Sequence, residues 1–215
     1  MLKRFFHYLV ANPRIYDQVQ LLVGGARVQQ RLAAHIARLD KVGLVVDLGG
    51  GTGISRHLWP QTSPYICFDV DMQKLQGFLH KYPHDSALLA DATRAPLQST
   101  SVQAITCVNV SHHLTDAALQ CLIGECRRVL QPAGTFIFID AVRDVRRPFG
   151  MLLWSLDRGS FPHTSTLLQH LLSEHFHPLH TEYLDVLHRY IVWVGTPHPA
   201  AVPTPAGSGQ HRAAS

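Results

Sequence analysis

The sequence predicts an α/β fold built on a largely parallel sheet, and three observations carry that reading. Short apolar runs recur, each ending in an acid: Leu44 to Val46 before Asp47, Pro64 to Phe68 before Asp69, and Ala87 to Ala90 before Asp91. Helix-like stretches separate them, and such alternation places the strands side by side through right-handed crossovers. The first run leads directly into a glycine-rich turn, with glycines at 49, 50, 51 and 53, where a backbone can turn tightly and approach a ligand. A chain of 215 residues, 46% hydrophobic and 16% charged, suffices for one such domain with a sizeable core.

Taken in order, Met1 to Val10 is aromatic and basic, and Asn12-Pro13 breaks it. Helices are expected over Arg14–Leu22 and Arg27–Leu39, separated by Gly24-Gly25. The first strand covers Leu44–Leu48, and a helix opens over Ile54–Trp59. A strand over Tyr65–Phe68 precedes a helix over Met72–Lys81, and a third strand covers Ala87–Ala90. Pro96-Leu97 opens a loop before the fourth strand, Val102–Val110. The next helix spans Asp116–Leu130 with Thr115 as its N-cap. Gln131-Pro132-Ala133-Gly134 is a turn, and the fifth strand is Thr135–Asp140. The regular alternation then stops. Residues 141–163 read as an insert with one helix around Phe149–Leu156. A helix over Ser165–Phe176, capped by Thr164 or Ser165, leads to an antiparallel hairpin of Leu179–Asp185 and His188–Gly195. Residues 197–215, rich in Pro, Ala, Gly and Ser, are expected to be disordered.

The glycine turn narrows the ligand. A dinucleotide fingerprint needs G-x-G-x-x-G, and starting from Gly49 and Gly51 its third glycine would fall on Ile54. Gly-Lys-Ser/Thr is absent too, so this is not a P-loop. The pattern is instead Asp47-x-Gly49-x-Gly51-x-Gly53, with the acid two residues before the first glycine. It resembles the first motif of the class I S-adenosylmethionine (SAM) methyltransferases. Asp69 lies about 20 residues beyond Asp47, where a ribose-binding acid is expected, and a carboxylate can accept from both ribose hydroxyls. The segment Cys126 to Asp140, CRRVLQPAGTFIFID, is similar to the "RVLKPGG" helix-turn-strand of the same family.

The resemblance covers Leu44 to Asp140 and is to the broad group that includes ubiquinone/menaquinone-biosynthesis and other small-molecule methyltransferases. It implies a Rossmann-like, seven-stranded, mostly parallel sheet with its last strand antiparallel, helices on both faces and an N-terminal helical lid. The implied organisation is a lid over residues 1–40, a SAM-binding core over 41–196 that includes the insert, and the tail. It further implies that Asp91 or the backbone of Ala92 reads the adenine amine while Val70 and Met72 flank the ring. Asn109 opens the segment Asn109–Leu114 that follows the fourth strand at the same sheet edge. Two departures stand out. Gln103 replaces an acid common before the fourth strand. Asn109-Val110-Ser111-His112 stands where enzymes acting on DNA adenine or protein glutamine carry Asn/Asp-Pro-Pro-aromatic, which argues against those acceptors.

Methyl transfer depends mainly on placing the acceptor in line with the methyl group, and a hydroxyl acceptor gains from a base near neutral pH. His112 and His113 are the candidates, adjacent in sequence and so expected to diverge, with structural roles for both as the alternative. Acceptor contacts are expected from outside the cofactor half: Tyr16, Arg143, Trp154, Arg158, His163 and Tyr190. For Tyr16, packing at a sheet edge is an equal alternative. His175, His177 and His180 lack a ligand set at their expected positions, so no metal is anticipated. Cys67, Cys107, Cys121 and Cys126 show no C-x-x-C spacing and read as reduced core residues of a cytoplasmic protein. A net charge of +4 without a dense basic block argues against a nucleic-acid partner. A membrane-surface contact through Lys3, Phe5 and Phe6 is the weaker alternative to a purely small-molecule partner. Two competing classes remain: a SAM-binding subunit without activity, and, against the glycine spacing, a dehydrogenase.

Overall fold

Each strand of the central sheet sends alternate side chains to opposite faces, and here both faces are apolar, as a covered parallel sheet requires. A computed structural model describes residues 25–40, 42–147, 150, 151, 154 and 161–199. The expected helix over 14–22 with Tyr16, residues 148, 149, 152, 153 and 155–160 of the insert, Arg158 among them, and the tail beyond residue 199 lie outside the described residues.

Among these residues the elements are α1 (Ala26–Ile36), β1 (Val45–Leu48), β2 (Tyr65–Asp69), α2 (Met72–Lys81), β3 (Ser86–Leu89) and β4 (Val102–Val108), then α3 (Asp116–Val129), β5 (Leu130–Val142), α4 (Ser165–His175), β6 (Phe176–Asp185) and β7 (Arg189–Pro197). They form one seven-stranded sheet in the order β3-β2-β1-β4-β5-β7-β6. β1 pairs in parallel with β2 and β4, while β7 runs antiparallel to β5 and β6. The fold is therefore Rossmann-like, six strands parallel and the last antiparallel. The strand order reverses between β1 and β4, which opens a crevice beyond their carboxyl ends.

One face of the sheet carries Val46, Leu48, Ile105, Phe136 and Phe138, packed with Leu119, Leu122 and Ile123 of α3 and Leu168 and Leu172 of α4. The opposite face carries Val45, Ala104, Ile137, Ile139 and Val192, packed with Val28, Leu32 and Ile36 of α1 and Leu75 and Phe78 of α2. Phe136, Phe176 and Trp193 meet at centroid distances of 5.2–6.3 Å. Each is fully buried, and burial of such a side chain stabilises by roughly 1.5–3 kcal/mol. Asp71, Thr115 and Thr164 cap α2, α3 and α4 by accepting from backbone N–H groups of the first turn, which settles the α4 cap on Thr164.

Several elements depart from expectation. The stretch over Ile54–Trp59 is a set of turns and a single 3-10 turn, Arg56–Leu58. Arg56 is buried, and its guanidinium donates to the Trp59 and Pro60 carbonyls while pairing with Asp85. Pro60 also blocks propagation. The turn at 131–134 is looped out inside β5, since Val102 pairs with Leu130 but Ala104 pairs with Thr135. Gln103 accepts from the Leu44 N–H at 2.6 Å, so the departure from an acid stitches β1 to β4 at their entry end. Cys121 is exposed, whereas the other three cysteines are buried, because it falls on the outer side of α3. Among the described residues no helix is long and apolar enough to cross a membrane.

Candidate active site

The acids that end β1 and β2 meet at the crevice because parallel strands deliver their carboxyl ends to one edge. A cavity of about 450 Å³ opens there, lined by the glycine turn, both acids and the segments after β3 and β4. Gly49, Gly51 and Gly53 all have positive φ, at 66°, 56° and 74°, a conformation that disfavours any side chain. At Gly49 an added Cβ would lie 2.3 Å from Val110 Cγ2, so the turn is pressed against the segment after β4.

Asp47 is buried at the bottom of this site. Its Oδ2 accepts from the Tyr65 hydroxyl at 2.5 Å and its Oδ1 from the Thr106 hydroxyl at 2.6 Å. Burial pushes its carboxyl up, and the two hydroxyls oppose that shift. Asp69 holds the loop from the other side: Oδ2 accepts from the Gly51 N–H at 3.0 Å and Oδ1 from the Asp71 N–H at 2.9 Å. Each oxygen retains a second lone pair for a ligand donor. Asp91 caps a 3-10 turn through Thr93 at 2.8 Å, and that hydrogen bond holds its carboxyl below the usual range.

Of the anticipated cofactor residues, Asp47, Gly49, Gly51, Asp69, Val70, Asp91, Ala92 and Asn109 line the cavity. Gly53 and Met72 do not. A Cβ at Gly53 would strike Phe78 at 2.4 Å, so that glycine serves close packing against α2, and Met72 begins α2 outside the lining. Val70 is 73% exposed, an apolar surface beside the cavity of the kind a flat ring covers. Asn109 sits at φ 58° with a buried Oδ1 that has no hydrogen-bond partner among the described residues. Gln29 of α1 donates to the Ser55 hydroxyl at 3.1 Å, and its buried Oε1 is likewise unpaired among them. Two buried acceptors without donors, on the wall of one cavity, fit a ligand that brings donors. Gln29 and Lys74 escape a sequence reading because neither belongs to a motif. Only the packing of α1 and α2 places them here.

The two histidines do not diverge as expected. Their ring centroids lie 4.1 Å apart: His113 lines the cavity, and His112 is held behind it, its Nδ1 2.6 Å from Asp140 Oδ1. Asp140 is fully buried at 0% exposure and also accepts from the Ser111 N–H and hydroxyl and the Ala141 N–H, each at 2.7 Å. Trp154 packs 5.4 Å from the His112 ring and 4.6 Å from that of His188. An aromatic row thus runs from the cavity wall into the insert. His163 is drawn elsewhere. It is buried, with Nε2 3.1 Å from both the Ser111 and Leu114 carbonyls and Nδ1 3.1 Å from Asp116, so it braces the His112–His113 segment and lies outside the cavity lining. Arg143 is exposed and Tyr190 half-buried in β7; neither lines the cavity. α1 buries its apolar stripe against the sheet and reaches the cavity through Gln29, so this part of the anticipated lid is a cover for one sheet face.

Residues 46–138 match the family described as "Methyltransferase domain", and the seven-stranded sheet is the Rossmann-like methyltransferase fold. No curated protein matches the chain. Among solved structures the chain is similar to a methyltransferase from Haloferax volcanii in complex with the activator Trm112 (15% identity, 92% of this chain and 98% of that one, TM-score 0.70). It is also similar to geranyl diphosphate C-methyltransferase from Streptomyces coelicolor, solved with Mg2+, geranyl diphosphate and S-adenosyl-L-homocysteine (12%, 80% and 82%, TM-score 0.68). A third likeness is to magnesium protoporphyrin IX methyltransferase from Synechocystis with bound SAH (14%, 82% and 84%, TM-score 0.68). At these identities the likeness establishes the fold.

Asp69→Ala is expected to weaken SAM binding by about 1–3 kcal/mol, since a charged acceptor is lost and the Gly51 N–H is left unpaired. Calorimetry on a variant that still melts cooperatively measures this, and unchanged affinity would remove Asp69 from the cofactor contact.

Proposed function

We propose that the protein is a SAM-dependent methyltransferase acting on a small, apolar or aromatic acceptor, with transfer to oxygen favoured. The observation that carries this reading is the histidine at the cavity wall, backed by a second histidine on a buried carboxylate. Asp69 holds the ribose, and Val70 with the Asp91–Ala92 turn frames the adenine. The orphaned oxygens of Asn109 and Gln29 take the ammonium donors of the amino-acid end. SAM supplies an electrophilic methyl group on a sulfonium. Asp47 adds negative potential near that cation, while its two hydroxyl partners tie β2 and β4 to the end of β1.

The acceptor approaches from the side of His113 and Trp154. Asp140 fixes His112 with Nδ1 as donor, and the pair of tilted rings then offers a ring nitrogen that removes the acceptor's hydroxyl proton. Trp154 supplies an apolar wall; Tyr16 and Arg158, with Arg143 and Tyr190 acting from outside the lining of the cofactor cavity, are the further acceptor contacts, the two arginines suited to an anionic group. A non-catalytic SAM-binding subunit that supports a partner is the second reading.

The test has two stages. Calorimetry with SAM and with NADH is expected to show binding of SAM alone, and the reverse would overturn the cofactor. Labelled SAM is then offered with a panel of phenols and hydroxylated apolar compounds. Turnover by the isolated chain is expected, and its absence across the panel favours the non-catalytic reading. His113→Ala is expected to lower turnover about 100- to 10,000-fold with SAM affinity retained; full activity would move the base elsewhere.

A further inference from the structure

Away from the cavity, the fold brings together three metal-ligating side chains that lie far apart in sequence. His35 ends α1, and His180 and Glu182 stand two residues apart on β6, hence on one face of that strand. His35 Nε2 is 3.4 Å from Glu182 Oε1, and His180 Nε2 is 3.8 Å from the same oxygen. One donor atom from each residue lies within 4.8 Å of the other two, and the imidazole centroids are 4.9 Å apart. A sequence reading of the histidines at 175, 177 and 180 could not find this set, because its third member is 147 residues away from Glu182.

We propose that His35, His180 and Glu182 bind a divalent transition-metal ion, zinc foremost, which clamps α1 to the β6–β7 hairpin. Two imidazoles and one carboxylate are a donor set that zinc takes, with water in the fourth position. Tetrahedral coordination at about 2.0–2.1 Å separates neighbouring donor atoms by roughly 3.3 Å, so closure from the observed spacings needs only small side-chain movements. The two strand residues can make them: their side chains are 39% and 27% exposed, whereas His35 is 6% exposed and fixed. That partial exposure also leaves a route of entry and room for the water.

A backbone irregularity supports the geometry. The β6–β7 register shifts between Pro178 and His180, and an extra residue of this kind re-aims the side chains that follow it. Without the shift, His180 and Glu182 would project from the other face of β6. Cations stand nearby. Arg31 reaches Glu182, but through Oε2 at 3.9 Å, leaving Oε1 to the ion, and its half-exposed side chain can withdraw. Arg38 also acts on His35 electrostatically. A bound ion would join segments far apart in the chain, so binding energy becomes folding energy.

The test uses the full chain without a histidine tag, stripped with chelator and titrated with zinc chloride in a calorimeter. One site per chain is expected, with micromolar or tighter affinity, together with a tetrahedral cobalt spectrum and a melting temperature that rises with zinc. Glu182→Gln and His180→Ala, both at partly exposed positions, are each expected to weaken binding at least tenfold and to remove the melting shift. His177→Ala is the control, because the His177 and His198 rings lie 4.1 Å apart and form the competing histidine pair; this variant should bind zinc as the wild type does. Absence of binding, wild-type affinity in Glu182→Gln and His180→Ala, or loss of binding in His177→Ala would each overturn the proposal.

Discussion

Asp140→Ala is expected to lower the unfolding free energy by about 3–5 kcal/mol, the cost of breaking a buried pair and leaving its partners unmatched. The carboxylate is fully buried and accepts from four donors, on His112, Ser111 and Ala141. Removing it leaves two backbone N–H donors and a hydroxyl without this acceptor, and takes away the carboxylate that holds His112 Nδ1. The loss has a pH signature. Burial pushes the Asp140 carboxyl up, but the His112 ring and the hydrogen bonds from His112, Ser111 and Ala141 outweigh that and hold it below the usual range. Its folded value therefore lies below its unfolded value of about 3.9. In the window between the two the unfolded chain binds more protons, so stability rises with pH there. The contribution is complete above the unfolded value and disappears as pH falls through the folded one. Urea melts at neutral pH and at about pH 3 should show the wild type and Asp140→Ala far apart at neutrality and converging in acid. A difference below about 1 kcal/mol at neutral pH would mean that the carboxylate is not what holds His112.

Gly51→Val should have the largest effect on the cofactor. The position has φ 56°, where a side chain costs roughly 1–2 kcal/mol. The protein itself leaves room, since an added Cβ would meet Lys74 Cδ, Asp69 Oδ2 and the Gly49 carbonyl at 3.6–3.9 Å. The remaining atoms of the valine must then occupy the cavity beside Asp69. SAM affinity should fall by more than 100-fold, or about 2.7 kcal/mol, with a melting loss near the strain alone. Gly53→Ala provides the contrast: its Cβ would collide with Phe78, so stability should suffer more than binding. Calorimetry and thermal melts on both variants separate the two roles, and normal SAM binding by Gly51→Val would place the cofactor elsewhere.

By itself the sequence determined the strand ends and what stands on them. Apolar runs terminating at Asp47, Asp69 and Asp91, with a glycine turn after the first, compel a parallel sheet whose carboxyl ends gather acids at one edge. That follows from local pattern and strand direction, both of which are short-range properties. Helix caps and the final hairpin were legible for the same reason. The tertiary structure alone decided what depends on strand order and register. The partner of His112 is Asp140, 28 residues on, because β4 and β5 are neighbours. Ile54–Trp59 does not form an α-helix because Arg56 folds inward to meet Asp85. Gly53 faces Phe78 instead of the cavity, although its spacing matches that of the glycines that do line it. His163, anticipated beside the acceptor, instead meets carbonyls of the segment after β4. His35 reaches Glu182 only because α1 crosses the sheet near its antiparallel edge. Such contacts join residues whose separation along the chain carries no periodic signal, so only the packed arrangement of the elements can determine them.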